Sequence, residues 1–273
     1  MKKFTLFSFL ILHLNIFAQV DYILPLSSTV AQMQITDEQH LSAFTNPSLY
    51  AYNTTTELAF AFDNRFLIPQ LSTKSVMAAY NAGPVQTGLS FSYFGYSLYH
   101  EMMGGLAFAR DFSGKFALGV QFNYYSAYFN ASNEYHGAFF PQLGFRICLS
   151  PDFAIAGNVF NPFQTNIKTL YSIKRLPSVF SLGGSYKFSP DFEWRLQADK
   201  EVSSSFRIAS GFDYVLLEKF TFKAGAYYAD YLVPCLGFAW KSGQLSLSLN
   251  TELHPVLGLN SGAMVSYTFK EKH

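Results

Sequence analysis

Ionisable side chains that face one another across a hairpin can pair internally, line a polar path or hold a charged ligand. This sequence sets several in that relation. Around Ser189-Pro190-Asp191, the register that pairs Phe188 with Phe192 puts Lys187 opposite Glu193. Around Leu217-Glu218-Lys219, the register that pairs Leu216 with Phe220 puts Asp213 opposite Lys223. Arg146, Arg195, Asp199 and Arg207 complete this ladder on the same face, and Asp199 can approach Arg207 if the connection from Lys200 is short. Two readings stand side by side: cross-strand pairing that stiffens a filled interior, and a ladder that lines a permeation path or ligand site.

Other chemistries lack their residues. The six histidines show no metal-ligand spacing with one another or with the two cysteines, Cys148 and Cys235, which read as isolated packing residues. No Gly-x-Ser-x-Gly or similar constellation points to an enzyme, and no cofactor site is read from the chain. Lys and Arg total 19 against 18 Asp and Glu, so no net field recruits nucleic acid.

The elements that carry these residues follow from composition and period. Only 14% of the 273 residues are charged while 18% are aromatic, which excludes a disordered chain and departs from the roughly 25% charge of soluble domains. After the N-terminus no apolar run approaches the roughly 18 to 20 residues of a spanning helix. The apolar residues instead alternate. Phe116, Leu118, Val120, Phe122 and Tyr124 interleave with Ala117, Gly119, Gln121 and Asn123, and Leu245, Leu247 and Leu249 with Ser246, Ser248 and Asn250. Alternation of this kind marks half-buried strands.

Fourteen such runs begin near Thr56, Thr73, Val85, Glu101, Phe116, Tyr135, Phe153, Ser178, Phe192, Ser205, Phe220, Tyr231, Leu245 and Leu259. Tight turns alternate with longer connections. One face is aromatic and aliphatic, the other Gly, Ala, Ser, Asn and Gln, which fits lipid outside and a lumen inside. The expectation is all-β: a transmembrane antiparallel β-barrel of about fourteen strands over 56–269, with outer-membrane lipid as its surroundings. An even strand number puts both termini and the tight turns in the periplasm of a Gram-negative bacterium.

Pro141 and Pro234 lie on the outward face and lack a ladder donor, so each is expected to mark a wall bulge or a lateral gap. Gly104-Gly105 and Gly183-Gly184 suggest curvature or a close internal neighbour. Residues 1–18 read as a signal peptide, with Lys2-Lys3, an apolar stretch and Ala18 at the cut. Residues 19–55 show no strand alternation, have a helical flavour over Gln34 to Leu41 and are long enough to plug the bore, while 270–273 form a short tail.

The plug segment holds Asn46, Pro47 and Ser48, within Ser42-Ala43-Phe44-Thr45-Asn46-Pro47-Ser48. With Leu176-Pro177-Ser178 through Tyr186, Leu196-Gln197-Ala198-Asp199-Lys200, Gly211-Phe212-Asp213-Tyr214 and Lys223-Ala224-Gly225, it resembles the FadL-type superfamily of outer-membrane barrels. The resemblance is nearest to the PorV-like and PorQ-like branch, with PorP/SprF-like barrels second. Ser48 stands where that superfamily usually has alanine. The resemblance implies two functions: a non-enzymatic partner-binding subunit of a larger secretion or assembly complex, as in type IX secretion, or transport of hydrophobic small molecules through a plugged barrel. The first is the leading expectation, with other outer-membrane or secretion proteins as partners; under the second the partner is a hydrophobic ligand.

Overall fold

Period-two alternation buries one face of each strand against the bore and leaves the other for lipid, and closing the sheet removes its edges. The computed structural model describes residues 30–37, 44–81, 83–130, 133–168 and 173–269. The strands are β1 (Glu57–Asn64), β2 (Ser72–Asn81), β3 (Gln86–Tyr96), β4 (Tyr99–Phe112), β5 (Phe116–Phe129), β6 (Glu134–Cys148), β7 (Phe153–Phe160) and a short pair β8 (Asn166–Lys168) and β9 (Ile173–Arg175). They continue with β10 (Val179–Ser189), β11 (Phe192–Glu201), β12 (Phe206–Leu216), β13 (Phe220–Tyr228), β14 (Leu232–Ser242), β15 (Leu245–His254) and β16 (Gly258–Thr268).

Fourteen of these form a closed antiparallel barrel, and β8–β9 is a separate two-stranded sheet. Closure runs from Glu57↔Thr268 to Asn64↔Ser261. Each barrel strand begins within two residues of the position its alternation indicates, the largest difference being Tyr99 for the expected Glu101. The extra hairpin β8–β9 lies in the connection that the sequence shows only as a long loop. Its three-residue strands are too short to register a period.

Facing is consistent along the wall. In β5 and β6, Phe122 and Phe139 are 55% and 76% exposed, while their neighbours Gln121, Asn123 and Gln142 are fully buried. An interior of buried amides inside a wall of exposed aromatics is the inverse of a soluble core, and is what lipid on the outside requires. Lys74, Arg110 and Lys200 are exposed on the outward face. Each lies within three residues of a strand end, where a long side chain can reach the headgroup region.

Neither wall proline makes a bulge. The β5–β6 register passes through Phe122↔Pro141 and the β13–β14 register through Ala226↔Pro234 without a shift. Each proline instead sits one residue outside the ladder with the next strand, which starts at Gln142↔Phe160 and Cys235↔Glu252. A residue without an N–H donor is tolerated where pairing has already stopped. The irregularity that does occur is a register shift between Lys187 and Ser189. Cys148 and Cys235 are unbridged.

Candidate functional site

The bore is occupied by the described parts of the N-terminal segment, and inward-facing glycines make the room. A Cβ on Gly119 would overlap the Pro47–Ser48 backbone, one on Gly144 the Asn46 side chain, and one on Gly88 the Tyr50 ring. Gly211 and Gly183 do the same for Met33 and Ile35, at 2.7 and 3.0 Å. Gly183 therefore has the internal neighbour its pairing suggested; Gly105 instead faces the wall side chains Gln121 and Asn123.

Asn46, Pro47 and Ser48 form the entry to a 3-10 turn over Pro47–Tyr52, with Pro47 at its first position, where no donor is needed. Asn46 caps that turn: its Oδ1 accepts from Ser48 N at 3.1 Å and Ser48 Oγ at 2.7 Å. Its Nδ2 donates to Ile35 O at 2.9 Å and to Phe145 O at 3.3 Å, so one side chain ties both plug pieces to the wall. Gln142 Nε2 adds a bond to Phe44 O at 3.4 Å. Burial, with the Glu57 carboxylate adding to it, raises the Tyr50 hydroxyl well above its ordinary pKa. A second 3-10 turn covers Val30–Gln32, and Gln34 to Asp37 are not helical. The rest of the expected helix, 38–41, lies outside the described residues, as do 1–18 and 270–273.

The charge ladder gathers on β11, β12 and β13 and grips the plug. Arg195 donates to Asp213 at 2.6 Å and Glu193 at 2.9 Å, and approaches Asp37 of the plug at 3.5 Å. Lys223 lies 3.6 Å from the same Asp213. Arg207 pairs with Asp199, donates to the plug carbonyl of Ala31 and stacks 4.5 Å from the Tyr227 ring centroid. Two residues depart from this set. Arg146 lies away from it, 4.6 Å over the Tyr52 ring. Lys187 is opposite Glu193 in register, yet Glu193 turns to Arg195.

The sequence reading missed Asp37, Glu252, Glu101 and Lys174. Glu252 accepts from plug Gln32 at 3.1 Å. Lys174, from the hairpin β8–β9, reaches into the bore to meet Glu101 and the hydroxyls of Tyr99 and Tyr125, both at 2.6 Å. Ile167 and Leu176 of the same connection are buried in a cluster with Phe44, Phe94, Phe140 and Phe160. Asn161 closes its base through bonds to Thr165 O, Leu176 O and Pro177 O. The inward parity of Glu101 and Glu252 was the available signal. Asp37 and Lys174 lie on non-barrel segments and had none.

The lumen thus has two unlike sides. Around β11–β15 it is ionic and clamps residues 30–37; around β2–β7 it is mainly amide-lined and apolar, with Glu101 and Arg146 as charged residues there, and is covered by the hairpin.

No family profile and no curated protein matches the sequence. Solved structures do match in fold. The toluene transporter TodX of Pseudomonas putida aligns with a TM-score of 0.66 at 9% identity, covering 90% of this chain and 99% of that one. The monoaromatic hydrocarbon channel CymD aligns at 0.63 with 10% identity, covering 90% and 98%. A FadL homologue of Pseudomonas aeruginosa aligns at 0.62 with 10% identity, also covering 90% and 98%. At these identities the likeness shows the fold alone: a closed fourteen-stranded antiparallel barrel shared with these structures over nine-tenths of the chain.

Proposed function

We propose that the protein is a plugged outer-membrane barrel of a Gram-negative bacterium, both termini periplasmic, that carries a hydrophobic small molecule. The observation that supports this most is the fold shared over nine-tenths of the chain with a toluene transporter and a monoaromatic hydrocarbon channel. The apolar side of the lumen is consistent with it: Phe94, Met103, Phe140 and Phe160 lie under a hairpin anchored by Lys174 and by the buried Ile167 and Leu176. The order of the two functions is therefore reversed from the sequence expectation. The partner-binding subunit, with its PorV-like and type IX associations, rests on the sequence resemblance alone.

Uptake of radiolabelled toluene by cells making the protein tests this directly, because a saccharide-coated outer leaflet slows an apolar solute. The expected result is faster uptake than in vector-only cells. Uptake equal to the vector control, with co-purification of a larger secretion barrel from native membrane, would return the partner-binding reading to first place.

A further inference from the structure

The two edges of β6 are the most unequal in the wall. Toward β5 it is paired from Glu134 to Ile147, but toward β7 only from Gln142 to Cys148. Glu134 to Pro141 therefore present one side of their backbone to no strand. The short strand β8 lies close by, yet among the described residues no backbone hydrogen bond joins it or its connection to this stretch.

The segment that follows β7 is committed elsewhere. After Phe160 the chain turns at the fully buried Asn161, whose φ is +49° and whose side chain ties Thr165, Leu176 and Pro177 together. Ile167 and Leu176 are buried in the bore, and Lys174 is paired there with Glu101. The outer face of β6 meanwhile stays aromatic to its end. Tyr135 and Phe139 are exposed, with Tyr128 4.8 Å from the first ring and Tyr124 4.6 Å from the second. A face of this kind lies against lipid, where unsatisfied backbone groups are costly and an open sheet edge is not left bare. Only another extended backbone offers donors and acceptors at strand spacing along such an edge.

A second copy does not fit. Strands of such barrels tilt by roughly 35–45°, so a two-fold axis along the membrane normal would cross the two β6 edges at about twice that angle, too steeply for a ladder.

We propose that the outer half of β6 is a docking edge for an extended segment of another protein. The segment adds as a strand beside Glu134 to Pro141, with apolar side chains at alternate positions on the face of Tyr135 and Phe139. Pro141, which offers no donor, ends the usable edge. This edge takes a backbone and not a hydrocarbon, and stands or falls without hydrocarbon passage.

The test is hydrogen exchange of the full chain in detergent micelles, read by mass spectrometry over 134–141. It is run with and without a synthetic peptide of alternating valine and serine long enough to span that stretch. The control is the same peptide N-methylated at alternate residues on one edge, which keeps the side chains and removes the donors. In the free protein, the amides of 134–140 that point away from β5 are expected to exchange freely. The peptide should slow them by about tenfold, while the methylated peptide leaves them unchanged and neither affects β3 or β4. Exchange already slow in the free protein, equal slowing by both peptides, or no slowing at millimolar peptide overturns the edge. Slowing that grows with protein concentration in the absence of peptide would place a second copy there, and overturns the assignment as well.

Discussion

On the β11–β15 side of the lumen the N-terminal segment is held by charge, through Arg195 with Asp37 and Glu252 with Gln32. On the β2–β7 side it is held by shape, with Pro47–Ser48 seated against Gly119 and Tyr50 against Gly88. The two means fail differently. In a buried ion network, removing one partner leaves an uncompensated charge and is strongly destabilising, by about 3–5 kcal/mol. A fitted surface can be tightened or loosened by single methylene groups, at a cost of about 1–3 kcal/mol when it is overpacked.

The sharpest way to break this contrast is Arg195→Met. It leaves Asp213, Glu193 and Asp37 without their shared cation, and should cost about 3–5 kcal/mol, read from the denaturant midpoint of the folded barrel. An unchanged midpoint would mean that the charged side anchors nothing. Next is Gly119→Val, whose side chain must displace the Pro47–Ser48 backbone. The expected cost is about 1–3 kcal/mol, accompanied by faster proteolysis of the plug while the barrel persists. Protection of the plug equal to wild type would contradict the fit.

Lys174→Met addresses the hairpin. It leaves the mostly buried Glu101 without its cation and should cost about 1–3 kcal/mol. Adding Glu101→Gln should recover most of that loss in a double-mutant cycle, while toluene uptake stays raised in both variants. Additive losses would show that the two residues are not a latch. The smallest effect is expected at the lipid face: Phe139→Leu, on a side chain 76% exposed, should move the midpoint by less than about 0.5 kcal/mol.

How far the sequence reaches follows the range of its signals. Strand positions and facing were legible because alternation is local: Phe116 to Tyr124 shows its parity without reference to anything else. The Asp213–Lys223 and Asp199–Arg207 pairs were legible because hairpin register fixes them. The plug's seat was half legible: Gly183-Gly184 suggested a close internal neighbour without naming Ile35, while Gly119 and Gly144, which seat Asn46 to Ser48, were not singled out. Lys174 and Asp37 were not, because their partners are set by how two non-barrel segments fold into the bore. For Pro141 and Pro234 the sequence left a bulge or a lateral gap open; the register shows no bulge at either, because a proline says where a donor is missing and not whether a ladder is still present there.

The central claim, a barrel closed by its own N-terminal segment, is tested most directly by single-channel recording in planar bilayers. Wild-type protein is predicted to show no steady ion conductance, and the variant lacking residues 19–50 a stable open pore. Steady wild-type conductance, unchanged by that deletion, would contradict the account.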